Sequence, residues 1–298
     1  MSDLFVGIDM GGTKIEAVAV SFSPKLQIHE RTRIPTNAHQ GYDALVDTLS
    51  AFITDFCKKF PAVSRVGIGM PGSTRADGAV KNANTECLNG RFFHREVQER
   101  VSPKLFFAND ANCFALAEAV LGAGKGHKVV FGVIMGTGVG GGLVINGAVR
   151  EGPHSICGEW GHTSLWPDSN TPCYCGKTGC VEQFIAGPAI ERHYRELGGE
   201  PIGLKEIVAR DQSGESVAVT CIDTMLDNYG RALSNLINIL DPDAVVLGGG
   251  VSNVSALYSR GYRKVAEYLF SENLRTPILQ HELGDSAGVL GAALLCRS

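Results

Sequence analysis

Apolar residues gather along this chain in short runs that stop at glycine. Residues 4–8 form one such run and residues 15–20 a second, with period-two alternation. Between them lies Gly7-Ile8-Asp9-Met10-Gly11-Gly12-Thr13-Lys14. The arrangement recurs downstream, where residues 129–134 lead through Gly136-Thr137-Gly138-Val139-Gly140-Gly141-Gly142 into Leu143 and a strand over residues 143–145. Two glycine-rich hairpins about one domain apart predict a duplicated unit. The pattern further predicts strands over 29–34, 66–69 and 105–108, an amphipathic helix over 42–59 and an alanine-rich helix over 112–120. In the second half it predicts helices over 189–197 and 216–240, the latter stopped at Asp241-Pro242. A strand over 244–247 then runs into Gly248-Gly249-Gly250, and a small-residue helix over 287–295 is capped by Asp285 or Ser286. Alternation of strands and helices with a parallel component defines an α/β class. The expected division is a small lobe over 1–119, onto which the end helix at about 286–298 packs back, and a larger lobe over 120–285. The larger lobe carries an insertion at about 149–182, rich in Gly, Pro, His and Cys.

The chain has 298 residues, 44% hydrophobic and 19% charged, enough for substantial cores. A formal charge of −4 and the lack of any Lys/Arg block give no electrostatic reason to expect nucleic acid or an acidic membrane as partner. The first residues do not read as a signal peptide and no run reaches the roughly 20 apolar residues of a membrane span. The expected location is the cytoplasm. There the nine cysteines are thiols or metal ligands rather than a disulfide framework. Cys57, Cys113, Cys221 and Cys296 sit among apolar neighbours and read as core.

Glycine lets backbone N–H groups approach phosphate oxygens closely, and successive N–H groups in a turn form an anion site. A carboxylate at Asp9 fits such a place if Mg²⁺ lies between it and the phosphates, with Thr13 and Lys14 as donors. Either run alone could be a plain tight turn; the pair points to ATP. The second run also matches G-x-G-x-x-G, but a strand follows its glycines where a dinucleotide site needs a helix, and the chain has no P-loop. Asn109-Asp110 stands at a strand-to-helix junction. By itself the pair reads first as an N-cap; in an open α/β sheet the same place suits a base that takes the proton of a substrate hydroxyl. Cys173, Cys175 and Cys180 lie within eight residues, and His162 precedes Cys173 by eleven positions. A Cys₃His set makes a closed, structural zinc site. Glu159 and Glu182 flank this cluster and would serve as paired acceptors for neighbouring sugar hydroxyls.

Together, Asp9-Met10-Gly11-Gly12-Thr13-Lys14, Asn109-Asp110-Ala111-Asn112, the run 159–162, Cys173-x-Cys175-x4-Cys180-x-Glu182 and Gly248-Gly249-Gly250 resemble the ROK family of bacterial repressors and sugar kinases nearly end to end. Residues 80–84, 88–90 and 172–177 look most like its fructokinase, or manno(fructo)kinase, branch, with N-acetylglucosamine kinase next. The resemblance implies an actin-like, ribonuclease-H-like duplicated fold of two lobes around an ATP and sugar cleft. It implies Asp110 as the base, with Asn84, Asn109, Asp110, Glu159, His162 and Glu182 on the sugar. Residues 7–14 and 136–143 would bind ATP phosphates and Gly249 would lie by the adenosine. His162, Cys173, Cys175 and Cys180 would hold structural zinc, the opposite edge of the His162 ring turning to the sugar.

The activity implied is Mg²⁺- and ATP-dependent phosphorylation of the 6-hydroxyl of a hexose, D-fructose first, in a cytoplasmic homodimer. An N-acetylglucosamine kinase or a broad glucose/mannose kinase is the alternative, although residues 82–90 depart from the former and weaken the case for an acetamido pocket. A regulator without a DNA-binding domain is a distant one, since only six residues precede Gly7 and leave no room for a reading head. Actin-like filament and chaperone ATPases lack the Cys₃His set.

Overall fold

Hydrophobic alternation builds a hairpin first. The computed structural model describes residues 4–297; residues 1–3 and 298, parts of the expected small lobe and end helix, lie outside the described residues. In chain order the strands and helices are β1 (Phe5–Met10), β2 (Lys14–Ser21), β3 (Gln27–Pro35), α1 (Tyr42–Lys58), β4 (Arg65–Met70), β5 (Ser73–Thr74), β6 (Val80–Lys81), α2 (Phe93–Gln98), β7 (Lys104–Asn109) and α3 (Asp110–Val120). There follow β8 (Val129–Met135), β9 (Val139–Ile145), β10 (Ala148–Val149), α4 (Glu182–Ile185), α5 (Gly187–Glu196), α6 (Leu204–Gln212), α7 (Ser216–Leu240), β11 (Ala244–Gly248), α8 (Arg260–Tyr268), β12 (Ile278–Gln280) and α9 (Ala287–Leu294).

Contacts divide the chain into two units, Met1–Leu121 with Gly147–Cys157 and Leu283–Ser298, and Gly122–Asn146 with Gly158–Glu282. The start of the expected insertion therefore belongs to the first unit, where β10 packs on α3.

The first unit holds a sheet in the order β3-β2-β1-β4-β7. β1 is antiparallel to β2 and parallel to β4, which is parallel to β7. Because side chains alternate along a strand, Val6, Ile8 and Met10 point to one face with Val66 and Ile68, and bury against Leu45, Leu49 and Ile53 of α1. The other face carries Gly7 and Gly67, and there the backbone of α9 lies directly on the sheet. A Cβ added to Gly7 would stand 2.2 Å from the Val289 carbonyl oxygen, and one on Gly67 1.7 Å from that of Ala292. Gly291 does the same on the far side of α9, where its added Cβ would meet the Cys113 carbonyl of α3 at 1.8 Å. The small-residue composition of α9 is thus a packing requirement.

Its expected side-chain cap is absent. A 3₁₀ turn over Gly284–Ser286 runs straight into α9, so Ser286 already has helical dihedrals (φ −87°, ψ −11°) and makes no cap bond. Its hydroxyl instead accepts from Arg31 at 3.1 Å.

In the second unit the strands run β9-β8-β11-β12, with β8 antiparallel to β9 and parallel to β11, and β11 parallel to β12. This repeats β2-β1-β4-β7 of the first unit, as the two hairpins foretold. The long α7 buries Leu226, Tyr229 and Leu233 and takes α8 at Gly230, where a Cβ would stand 2.7 Å from Lys264. No expectation covered α2, α6, α8 or β12. Only Gly261 and Val265 of α8, and Ile207 of α6, are buried, so their sequences offer few apolar residues to mark a helix.

Gly67→Ala is expected to destabilise the protein by about 3 kcal/mol through backbone overlap with α9, seen as a lowered thermal midpoint. An unchanged midpoint would contradict the close approach.

Candidate active site and metal cluster

In the first unit three parallel strands end side by side. Asp9 of β1 pairs with Gly69 of β4, and Gly69 with Ala108 of β7, which brings Asp9 and the Asn109-Asp110 junction to one edge. Asn109 does act as the N-cap of α3, its Oδ1 accepting from the Ala111 N–H at 2.8 Å, while its amide donates to the Gly72 carbonyl at 3.0 Å. Asp110, the first residue of α3, is exposed, and its Oδ1 accepts from the same Ala111 N–H at 2.8 Å. Capping by Asn109 leaves the Asp110 carboxylate at the open helix end.

Asp9 sits deeper. A Cβ on Gly288 of α9 would lie 2.9 Å from its Oδ2 and one on Gly69 3.7 Å from its Oδ1. Burial, then the charges of Asp110 and Glu16, push the Asp9 carboxyl up to about 6 from 3.8, against a smaller pull from Lys14. Glu16 faces Asp9 across the hairpin, itself buried and paired with Arg31 and, at 2.7 Å, with Arg33. A buried carboxylate whose own charge is opposed by neighbouring acids suits a divalent cation.

The first turn is held by Thr36, fully buried, whose hydroxyl donates to the Gly11 carbonyl at 2.9 Å and whose N–H donates to that of Thr13 at 3.0 Å. Gly12, Thr13 and Lys14 are exposed at its tip. Asn84 is exposed too, one residue before Thr85, whose hydroxyl oxygen would lie 3.8 Å from a Cβ on Gly12. A cavity of about 380 Å³ opens beside Asn109, lined also by Gly72, Ser73, Thr74, Asn112 and Glu151. Ser73 Oγ and Asn112 Oδ1 are buried there without a hydrogen-bond partner.

In the second unit the Gly136–Gly138 turn is closed by a Gly136 N–H to Gly138 carbonyl bond of 2.9 Å. Its Gly136 carbonyl accepts from the Gly187 N–H at 2.8 Å, and the following Val139 N–H donates to Glu182 Oε2 at 2.9 Å. Next to this turn lies a cavity of about 850 Å³, bounded by Thr137, Pro188, Leu204, Lys205, Gly250 and Val254 among others. Its size and mostly apolar walls suit a nucleoside. Gly249, at φ +80°, turns the chain beside it, since its added Cβ would strike the Met135 carbonyl at 2.4 Å. Pro188, Leu204, Lys205 and Val208 of this wall carry no motif, and only the α5 and α6 assignments could have pointed to them.

The predicted metal ligands do converge. One ligand atom each from His162, Cys173, Cys175 and Cys180 lies within 4.8 Å of the others. The Cys175 and Cys180 sulfurs are 3.7 Å apart, and Cys173 Sγ is 3.5 Å from His162 Nδ1. A tetrahedron with Zn–S bonds of about 2.3 Å has edges of nearly those lengths. The other ring nitrogen of His162, expected to face a sugar, shares a 2.9 Å hydrogen bond with the Tyr174 hydroxyl. Glu159 is half-buried at the head of the 3₁₀ turn that carries His162.

Several expected phosphate contacts are placed elsewhere. Gly7, Ile8 and Met10 are buried within β1, and Gly141, Gly142 and Leu143 within β9. The glycine at 141 makes room for the Phe131 ring, 2.8 Å from its added Cβ. Val139 has already committed its N–H to Glu182, and Gly140 lies within β9, paired with Ile134 of β8. That leaves Gly11–Lys14 and Gly136–Gly138 as the open turns.

Paired hairpin-led sheets, carboxylates at the ends of parallel strands and a nucleoside-sized cavity define a phosphotransferase of the actin-like, ribonuclease-H-like α/β fold. The ROK family model matches residues 5–298, and the chain belongs to the ROK family. It is a carbohydrate kinase. It is 37% identical over 302 residues to the N-acetyl-D-glucosamine kinase of Photobacterium profundum, covering 98% of this chain and 99% of that protein. Against the N-acetylgalactosamine kinase AgaK of Shewanella sp. the identity is 33%, over 98% and 96%. These two relatives carry amino-sugar names, not the fructokinase name expected from the sequence. The structure of a ROK hexokinase from Thermus thermophilus superposes with a TM-score of 0.87 at 31% identity, over 98% of this chain and 97% of that one. A ROK glucokinase from Streptomyces griseus, solved with glucose and AMPPNP, gives 0.78 at 29%, covering 99% of each chain.

Since the folded state raises the Asp9 pKa, it holds that proton more tightly than the unfolded chain does, so ionising Asp9 costs stability. The penalty is absent below about pH 4 and complete above about pH 6. Asp9→Asn is therefore expected to stabilise the metal- and nucleotide-free protein by about 1–2 kcal/mol at pH 7.5, allowing for residual exposure. The gain should vanish by pH 4 in paired thermal melts, and a destabilised variant at pH 7.5 would refute this reading. The purified chain is also expected to contain about one zinc, and Cys180→Ser to lose it together with thermal stability. Metal content unaffected by that substitution would reject the ligand set.

Proposed function

We propose that this kinase transfers the γ-phosphoryl group of ATP to the 6-hydroxyl of a hexose, with D-fructose as substrate. The observation that carries the reading is an exposed carboxylate, Asp110, beside the Asp9 carboxylate at one strand edge, with a polar cavity against Asn109. In that cavity the unpartnered Ser73 Oγ and Asn112 Oδ1 offer hydrogen bonds to a hydroxylated ligand. Asp110 takes the proton of the sugar hydroxyl as its oxygen attacks the γ-phosphorus, and the bond to the β-phosphate bridging oxygen breaks to release ADP. Asn109, anchored to Gly72 and Ala111, holds its neighbour in place and is assigned to the sugar together with Asn84, Glu159 and His162.

Thr13 and Lys14 at one open turn, and the Gly136–Gly138 turn of the other hairpin, supply donors to phosphate. Asp9 would hold Mg²⁺, which neutralises phosphate charge when bound. The 850 Å³ cavity of the second unit takes the adenosine. His162, Cys173, Cys175 and Cys180 would hold zinc, in a closed set that leaves no coordination position on the metal for substrate.

D-Fructose rests on the resemblance of residues 80–84, 88–90 and 172–177 to the fructokinase branch. In the protein, residues 83–89 form a fixed loop. Asn89 Oδ1 accepts from the Ala83 N–H at 2.9 Å, and its amide donates to the Ala83 carbonyl at 2.9 Å. A second reading, phosphorylation of an N-acetylhexosamine, is favoured by the names of the curated relatives.

Initial rates of ADP release with Mg-ATP and fructose, mannose, glucose, N-acetylglucosamine or N-acetylgalactosamine separate the two. Fructose is expected to give the highest kcat/KM; preference for an acetamido sugar would replace the substrate and keep the mechanism. Asp110→Asn is expected to lower kcat by about 10²–10⁴-fold with an unchanged circular dichroism spectrum. Full turnover in that variant would remove Asp110 as the base.

A further inference from the structure

Glu182 is almost completely buried, 7% exposed, in the second unit. A carboxylate is taken out of water at such a place only if fixed donors replace the solvent it loses. One of its oxygens accepts from the Val139 N–H at 2.9 Å, immediately after the glycine turn. The same oxygen would stand 2.7 Å from a Cβ on Gly138, so the carboxylate lies against the turn and any side chain at 138 would have to push it aside. Its other oxygen faces Cys173 Sγ at 3.9 Å. Five residues further on, Gly187 donates to the Gly136 carbonyl at 2.8 Å. The short segment from Glu182 to Gly187 therefore grips both ends of the Gly136–Val139 turn.

The segment is itself anchored, because Cys180 stands two residues before Glu182 and converges with His162. The turn bearing His162 leans on the same strand from its own side. A Cβ on Gly161 would meet the Val139 carbonyl at 2.0 Å, and the Trp160 indole donates to the Gly140 carbonyl at 2.9 Å.

We infer that Glu182 is a positioning residue for nucleotide: it fixes the Gly136–Val139 turn, so that nucleotide affinity depends on Glu182 before any sugar is present. This differs from the assignment of Glu182 to the sugar, and it rests on the proposal that this turn and its neighbouring cavity bind ATP. A carboxylate that served sugar alone would leave sugar-free nucleotide binding untouched. One that shapes the turn is felt there first.

Calorimetric titration of the zinc-loaded, sugar-free protein with Mg-ADP tests it. Glu182→Ala is expected to weaken Mg-ADP binding about ten-fold or more, the usual consequence of removing a charged acceptor from a buried N–H. Glu182→Gln, whose side-chain oxygen can still accept from Val139, should stay within about three-fold of the parent. Rescue by Gln separates positioning of the turn from general loss of packing. If Glu182→Ala fails to fold, Gly138→Ala serves in its place, since the added methyl displaces the carboxylate from a site otherwise intact, and it too should weaken binding. Parental Mg-ADP affinity in a folded Glu182→Ala or Gly138→Ala variant overturns the inference. A parent protein that binds no Mg-ADP overturns the nucleotide assignment beneath it.

Discussion

The first unit depends on one close approach, that of the α9 backbone to the face of β1 and β4. Side chains at positions 7 and 67 would prevent it, and so glycine stands at both. Because strands alternate, Asp9 shares the face of Gly7, and the helix that seats on Gly7 also brings Gly288 over the Asp9 carboxylate. Packing and electrostatics are therefore set by the same contact. A helix held further from the sheet would admit water to Asp9 and relax the pressure on its proton. The raised Asp9 pKa is a product of how tightly α9 sits.

The second unit repeats the strand order but secures its turn by other means. In the first hairpin a buried hydroxyl, Thr36, ties Gly11, while the Thr36 N–H holds Thr13. In the second a carboxylate and a helix N-terminus do so, delivered by one short segment that follows the cysteine cluster. Duplicated topology has been filled with different local chemistry. One hairpin carries its own acid at Asp9, whereas the other borrows Glu182 from 43 residues beyond Val139.

Much of this was legible in the sequence where a single local cause acts. Glycine-punctuated apolar runs announced both hairpins, Asn109-Asp110 announced a helix start, and the spacing of Cys173, Cys175, Cys180 and His162 announced their convergence. What was not legible has a common cause: one residue type can answer two physical demands. Gly7 and Gly141 look like phosphate-loop glycines, yet one makes room for a helix backbone and the other for the Phe131 ring. Glu182 reads as a free acceptor because its partner, the Val139 N–H, is remote in sequence. Polar helices such as α6 and α8 bury few apolar residues, so Leu204 and Lys205 could not be placed beside a cavity before the fold was known. The substrate is least legible of all, since branch-like residues point to fructose and the names of the curated relatives to amino sugars.

The place of α9 in the chain has a consequence for biogenesis. It completes the first unit, packing on β1, β4 and α3, yet it lies beyond the whole second unit in sequence. During vectorial synthesis β1 to α3 leave the ribosome early and must wait, with the glycine face of their sheet uncovered, until the second unit has been translated. The second unit is interrupted only by residues 147–157 and can form its core first. The unit whose hairpin appears first is thus the last to be completed.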